Sequence, residues 1–139
     1  MATPYPLEVV TPERVMLSED VVETSAPGSE GSLGILAKHA PIMTELVPGE
    51  VVVRFADGHT TSHLVISGGF LEMSPEGRAT ILADSAERAD EIDLTRAEAD
   101  LEAARRMLEG AEAGSPEQAQ ALAAVSHAET RIRVGRNER

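Results

Sequence analysis

The chain has 139 residues, room for one compact domain with an appendage and too little for a multidomain enzyme. Its 24 Asp and Glu against 12 Lys and Arg leave a net charge of -12, which excludes a sequence-independent grip on nucleic acid. There is no Cys, which removes disulfides, thiolate metal sites and cysteine nucleophiles together.

Met1 to Ala86 holds 21 Val, Ile or Thr against 8 Ala, with 8 of the 11 Gly and 7 of the 8 Pro, the composition of short strands and tight turns. In chain order the strand runs include Pro6 to Thr11, Arg14 to Ser25, Glu50 to Phe55, His63 to Ser67, Phe70 to Ser74 and Arg78 to Ala83. Pro12, Pro27-Gly28, Pro48-Gly49, Asp57-Gly58 and Pro75 to Gly77 punctuate them as hairpins. Val51, Val53 and Phe55 alternate with Val52 and Arg54, the pattern of a sheet packed on one side. An antiparallel sandwich or flattened barrel over residues 1–86 is therefore expected.

From Asp93 to Val134 there are 11 Ala but only 5 Val, Ile or Thr, which is helix composition. Leu94, Ala97, Leu101, Ala104 and Leu108 form one apolar stripe, and Ala121, Val125, Ala128 and Ile132 form a second. Gly110 closes the first helix, and Ser115-Pro116-Glu117-Gln118 opens the next with an N-cap, a first-turn proline and the Gln of a capping box. The short connection predicts an antiparallel two-helix hairpin over residues 87–139. Its Ala-rich stripes bury little area, so it is weakly held and able to open. Arg136 to Arg139 reads as a frayed tail. The class is thus α+β in sequence order.

The longest uncharged stretch, Gly58 to Leu71, is 14 residues and includes His, Ser and Thr, short of the roughly 20 apolar residues of a membrane helix. The N-terminus carries neither a secretory signal pattern nor an Arg-rich transit pattern, so a soluble chain without direct membrane insertion is expected.

Signals for catalysis are poor. His59 and His63 would lie about 13 Å apart on an extended strand, too far to share a metal, and read instead as turn and edge histidines. Ser67 precedes Gly68-Gly69 without an evident base. Lys38 is the single lysine and follows no glycine-rich loop, which excludes a P-loop. No catalytic and no metal-binding residue is assigned, and no cofactor is required.

Several blocks, however, carry a resemblance in order along almost the whole chain. They are Gly28-Ser-Glu-Gly-Ser-Leu-Gly-Ile-Leu, Lys38-His-Ala-Pro, Leu46-Val-Pro-Gly, Val65-Ile-Ser-Gly-Gly-Phe-Leu-Glu, Ile81-Leu-Ala-Asp and Ala86-Glu-Arg-Ala-Asp-Glu-Ile-Asp. Together they resemble the epsilon subunit of F-type ATP synthase. Lys38 departs from the pattern, because the family usually has Gly there, and only Gly takes positive φ freely.

The resemblance implies a β-sandwich of about ten strands followed by a helical hairpin, in a non-catalytic rotor subunit of the central stalk. It implies binding to the gamma subunit and the c-ring, coupling of proton flow to ATP synthesis, and C-terminal helices that restrain ATP hydrolysis and contact the alpha and beta subunits. The implied location is peripheral, on the cytoplasmic face of the bacterial inner membrane rather than a plastid thylakoid. It implies partner contacts at Glu30 and His39. Ile92-Asp93-Leu94-Thr95-Arg96-Ala97 resembles the family's nucleotide motif, which carries regulatory ATP binding onto Ile92, Asp93, Arg96 and Ala97, with Glu87 before them and Arg131 and His127 on the second helix. An arginine of the family's site has no counterpart at Ala103. Read from the residues alone, Asp93 and Arg96 equally suit an ordinary surface ion pair near a helix start, and both Arg96 and Arg131 fall off the apolar stripes, free to meet phosphate or water. The rival reading is a stand-alone β-sandwich binding module with a coiled-coil handle.

Overall fold

The computed structural model describes residues 2–136, which form two compact units dividing between Arg88 and Ala89. The first unit contains nine strands: β1 (Tyr5–Val10), β2 (Val15–Gly28), β3 (Gly31–Ile35), β4 (Ile42–Leu46), β5 (Gly49–Phe55), β6 (Thr61–Ile66), β7 (Gly69–Met73), β8 (Ala79–Ala83) and β9 (Ala86–Arg88). Three of them, β3, β4 and β9, lie outside the expected runs. Gly31-Ser-Leu-Gly-Ile is locally a turn sequence, and it becomes a strand because the end of β2 offers it a pairing edge from Thr24↔Ile35 to Gly28↔Gly31. Tertiary pairing overrides weak propensity there. Because β9 runs to Arg88, Glu87 pairs with Val65 inside the sheet rather than opening the helical part.

The strands follow the order β1-β8-β7-β4-β2-β5-β6-β9, and β1 also pairs with β2, so β1, β8, β7, β4 and β2 close on themselves. Every pairing is antiparallel except one. β1 and β8 run parallel, from Leu7↔Ala79 to Val10↔Leu82, one parallel pair within the otherwise antiparallel sandwich that was expected. A parallel pair needs a long connection, and strands β2 to β7 provide it.

One face of these strands makes the core, with Leu7, Val9, Val21, Ile35, Val51, Val53, Leu64, Ile66, Leu71 and Ile81 packed together. On β5 the alternation holds: Val51 and Val53 are buried, Phe55 packs against the same cluster, and Arg54 is exposed. The core includes one polar knot. Tyr5 Oη donates to the Ile35 carbonyl at 2.9 Å and hydrogen-bonds Thr24 Oγ1 at 2.8 Å, joining β1, β2 and β3 through one phenol. Burial pushes the phenol's pKa above the ordinary 10.0; the Thr24 bond opposes this, and the charge of Glu23 adds to it.

Two backbone positions are special. Gly69 takes φ 147°, and a Cβ there would fall 2.0 Å from the Leu82 carbonyl oxygen, so β7 can enter its pairing with β8 only as glycine. Lys38 adopts φ 66°, the left-handed region, in a turn where the His39 amide donates to the Leu36 carbonyl at 3.2 Å. The conformation that glycine would take freely is thus retained by a side chain, at a cost of about 1–2 kcal/mol.

The second unit begins with a 3-10 turn at Ala89–Glu91 and contains α1 (Leu94–Gly110) and α2 (Pro116–Gly135). Ala97 and Ala104 on α1 and Ala121, Ala128 and Val134 on α2 are buried, while Leu101, Leu108, Val125 and Ile132 of the predicted stripes are half-buried. Gly110 is the last helical residue rather than the one past the end; Ala111 caps α1, and the left-handed residue of the connection is Gly114 at φ 77°. Ser115 caps α2 by accepting from the Gln118 amide at 3.1 Å, and the Gln118 side chain reaches back to the Gly114 amide at 2.8 Å, one residue earlier than a capping box requires. Arg136, read as the start of a frayed tail, instead donates to Glu98 at 2.9 Å. The remainder of that expected tail, residues 137–139, lies outside the described residues. Among the described residues no helix is long and apolar enough to cross a membrane.

The Tyr5 knot gives a direct test. Tyr5→Phe leaves the Ile35 carbonyl and the Thr24 hydroxyl without this buried partner and should lower unfolding stability by about 1–3 kcal/mol in a denaturant titration. Since the folded pKa is raised, the phenol's contribution is intact below pH 10.0 and lost as pH rises through the raised value. The parent should therefore lose its advantage over Tyr5→Phe in strong alkali; equal stability of the two proteins at neutral pH would remove the knot from the account.

Candidate functional site

The nucleotide-like segment sits where the second unit begins its first helix. Asp93 is the N-cap of α1, and its Oδ1 accepts from the Arg96 amide at 3.1 Å. The carboxylate therefore engages the Arg96 backbone, not its guanidinium as in the surface pair read from the spacing, and it suits the positive end of the helix dipole. Ile92 is half-buried and packs with Leu94 over Gly135, where an added Cβ would lie 3.1 Å from Ile92 Cγ2 and 2.9 Å from Leu94 Cδ2. Ala97 is fully buried.

The arginines are drawn together by a residue the sequence reading missed. Arg96 Nε lies 3.5 Å from Asp100 Oδ1, and Arg131 Nη1 donates to Asp100 Oδ2 at 3.0 Å. Arg131 is thus not free in water: its side chain is only 11% exposed, against 74% for Arg96 and 48% for Asp100. The available signal was the i, i+4 spacing of Arg96 and Asp100. Two further ion pairs cross between the helices, Arg136 with Glu98 at 2.9 Å and Arg105 with Glu129 at 3.9 Å. His127 is half-buried on α2, Ala103 is exposed on α1, and Glu87 belongs to β9 in the other compact unit. The structure thus brings Asp93, Arg96, Ala97 and Arg131 into one unit, where Arg96 and Arg131 meet at Asp100.

On the sheet unit, Ser29 and Glu30 form the tip of the hairpin closed by Gly28↔Gly31, with Glu30 exposed. His39 is half-buried beside Lys38, its Nδ1 2.7 Å from the Ala40 carbonyl. His59 sits in a turn whose Asp57 carboxylate accepts from the amides of His59 and Thr60 at 2.8 Å. These bonds, with one from the Thr60 hydroxyl as the largest contribution, hold the Asp57 pKa down to about 2. His63, read as an edge histidine, is buried on β6 opposite Val52 of β5, just before the pairing with β9 begins at Leu64, with Nδ1 2.6 Å from Glu50 Oε2. Ser67 Oγ accepts from Ser85 Oγ at 2.7 Å. Among the described residues no three His, Cys, Asp or Glu are grouped to hold a metal ion.

The outer face of the sheet shows a second feature that the sequence reading passed over. Val15, Val10, Leu82 and Phe70 are opposite one another across β2, β1, β8 and β7, and Met43 on β4 lies diagonal to Phe70. Exposure reaches 54% at Val15 and Leu82, 51% at Phe70 and 65% at Met43. The signal was parity: Phe70 alternates with buried Gly69 and Leu71, and Leu82 with buried Ile81 and Ala83.

Comparison with known proteins bears on both units. Residues 5–89 match the beta-sandwich domain of the ATP synthase Delta/Epsilon chain, and residues 90–135 match its long alpha-helix domain. An ATP synthase epsilon chain of Brucella canis is 46% identical over 111 residues, covering 80% of this chain and 81% of the relative. One from Herpetosiphon aurantiacus is 46% identical over 137 residues, covering 98% and 97%. Among solved structures, a chain of the Euglena gracilis mitochondrial ATP synthase, OSCP/F1/c-ring in rotational state 1, superimposes with a TM-score of 0.80 at 26% identity, over 94% of this chain and 80% of that one. A chain of the Tetrahymena thermophila mitochondrial ATP synthase central stalk and c-ring shares the fold, with a TM-score of 0.64 at 17% identity over 96% and 98%. With both units matched along nearly the whole sequence, this chain belongs to the family of ATP synthase epsilon chains, non-catalytic rotor subunits of the F-type central stalk that couple proton translocation to ATP synthesis.

Proposed function

We propose that the chain is held in the stalk by its sheet unit, with the apolar row on the outer face against the gamma subunit and the hairpin tip at Glu30 against the polar loops of the c-ring, His39 lying at the partner contact as well. The observation that carries this reading is the row of exposed Val15, Leu82 and Phe70, joined through half-buried Val10, on a chain with a net charge of -12. A contiguous apolar strip on such a surface is a docking surface rather than ordinary exposure. The subunit then sits peripherally on the cytoplasmic face of the bacterial inner membrane.

The helical unit is the regulatory part. Its α1 and α2 restrain ATP hydrolysis when they separate and reach the alpha and beta subunits, and ATP opposes this by bridging Arg96 and Arg131 in the closed hairpin. Binding only the closed form, ATP stabilises it by RT ln(1 + [ATP]/Kd), about 2.7 kcal/mol at a hundredfold excess over Kd. The convergence of both arginines on Asp100 supports this, because it shows two cations within reach of one anion.

Three outcomes test these assignments. In the assembled enzyme, Phe70→Glu should cut co-purification with gamma at least tenfold while leaving the sheet folded, since Phe70 is half-exposed; unchanged recovery would move the gamma contact elsewhere. Cysteine at Glu30 should crosslink to a cysteine in a c-ring loop, and persistent failure at every loop position would remove this hairpin from the c-ring contact. Arg96→Ala should weaken ATP binding in calorimetry and prolong inhibition at ATP levels that relieve it in the parent. Equal heats in parent and variant, or none in either, would end the nucleotide switch and leave the rotor assignment standing.

A further inference from the structure

We infer that Asp100 is a built-in competitor for the nucleotide's phosphates, so that this residue sets how tightly the closed hairpin binds ATP; the inference rests on the nucleotide reading above. Asp100 lies one helical turn after Arg96 on α1, and Arg131 reaches it from α2. Its two carboxylate oxygens are divided between the two guanidinium groups, Oδ1 at 3.5 Å from Arg96 and Oδ2 at 3.0 Å from Arg131. This is the arrangement a phosphate would adopt, with separate oxygens of one anion on separate cations.

Two neighbouring carboxylates are engaged elsewhere. Glu98 is held by Arg136 at 2.9 Å, and Glu129 lies 3.9 Å from Arg105. Asp100 is the carboxylate placed between the two arginines that the nucleotide reading uses. Being tethered to α1, it competes at a high effective concentration that no dilution lowers. Burial strengthens the effect. The Arg131 side chain is 11% exposed, so its charge is screened less by water than that of a surface arginine, and an anion reaching it must first displace a carboxylate already in place. If a triphosphate binds beside Asp100 instead of replacing it, it meets a like charge at hydrogen-bonding range. Either route makes the carboxylate's charge unfavourable to ATP. Asp100 is therefore an affinity-determining residue for a polyphosphate ligand, and the same charge that closes the hairpin without nucleotide limits the binding of nucleotide.

The test uses the full chain and isothermal calorimetry with ATP, tripolyphosphate and adenosine. Asp100→Asn keeps the shape and one acceptor for Arg131 while removing the charge. It should tighten ATP and tripolyphosphate about tenfold or more and leave adenosine unchanged, and adding Arg96→Gln to it should abolish most of the gain. Asp100→Ala, a better helix former, should show the same direction. Far-UV circular dichroism establishes that the helices persist. If parent and Asp100→Asn bind ATP equally, the competitor role is wrong and the nucleotide reading survives. Should neither variant nor parent bind ATP or tripolyphosphate, both fall. Loss of helical signal in both Asp100 variants, with weaker binding, would make Asp100 a structural bolt between the helices and overturn the inference.

Discussion

Fourteen residues of β2 must serve four neighbours, and the sheet unit is built around how they do it. The early part of the strand pairs with β1 from Val15 to Val21, residues from Val21 to Ser25 pair with β5, the end from Thr24 pairs with β3, and Gly28 meets Leu46 of β4. No straight strand can do this. Register shifts at Val9/Val10 opposite its start and at Val21/Glu23 along its length bend the ribbon from one layer toward the other. The burial pattern records the bend, because Val21 and Val22 are both buried in succession, as are Met16 and Leu17, where strict alternation would expose one of each pair. The Tyr5 phenol bonds Thr24 within this strand and the Ile35 carbonyl beside it. A one-residue slip of β2 would turn every core side chain outward and break the knot.

What could be read without coordinates follows the range of the interactions. The alternation on β5 and the alanine stripes of the helices are local and were legible, because each strand or helix repeats its own period. The pairing of β1 with β8 is not local. Nothing near Leu7 or Ala79 in sequence announces that they meet, or that they run parallel. The strand identity of Gly31 to Ile35 likewise depends on its partner, Thr24 to Gly28. At Lys38 the blocks of the resemblance located the turn, but whether a lysine would keep a glycine's backbone was decided by the turn's hydrogen bond and chain path, not by the residue's own preference.

The candidate site shows the same division. Asp93 at the head of α1 was legible as an acid favoured by the helix dipole, and it does cap that helix. The depth of Arg131 was not. Periodicity places a Cα relative to a stripe, but a long arginine can lay its methylenes over the seam while its head finds a partner across it. Asp100 escaped notice because one acid among 24 Asp and Glu carries no distinguishing mark until a second helix brings Arg131 to it. The buried seam contributes little area through alanine methyls, and most of the ion pairs across it involve groups about half-exposed, each worth about 0–1 kcal/mol. Closure of the helical unit is therefore a sum of small terms, sensitive to salt and to any anion that one of its arginines prefers.

The short connection between the helices, residues 111–115, has a kinetic meaning. Contacts between α1 and α2 close a small loop, and loops of that size close in about 10–100 ns, with helix relaxation following in about a microsecond. The sheet unit has the opposite topology, since its first strand pairs with its next-to-last, Leu7 with Ala79, and such non-local order assembles in milliseconds to seconds. The two halves thus keep separate clocks. Contacts between the helices can therefore re-form many times over in the interval the strands would need to repeat their slow search, so a disturbance confined to the helical unit heals without reopening the sheet.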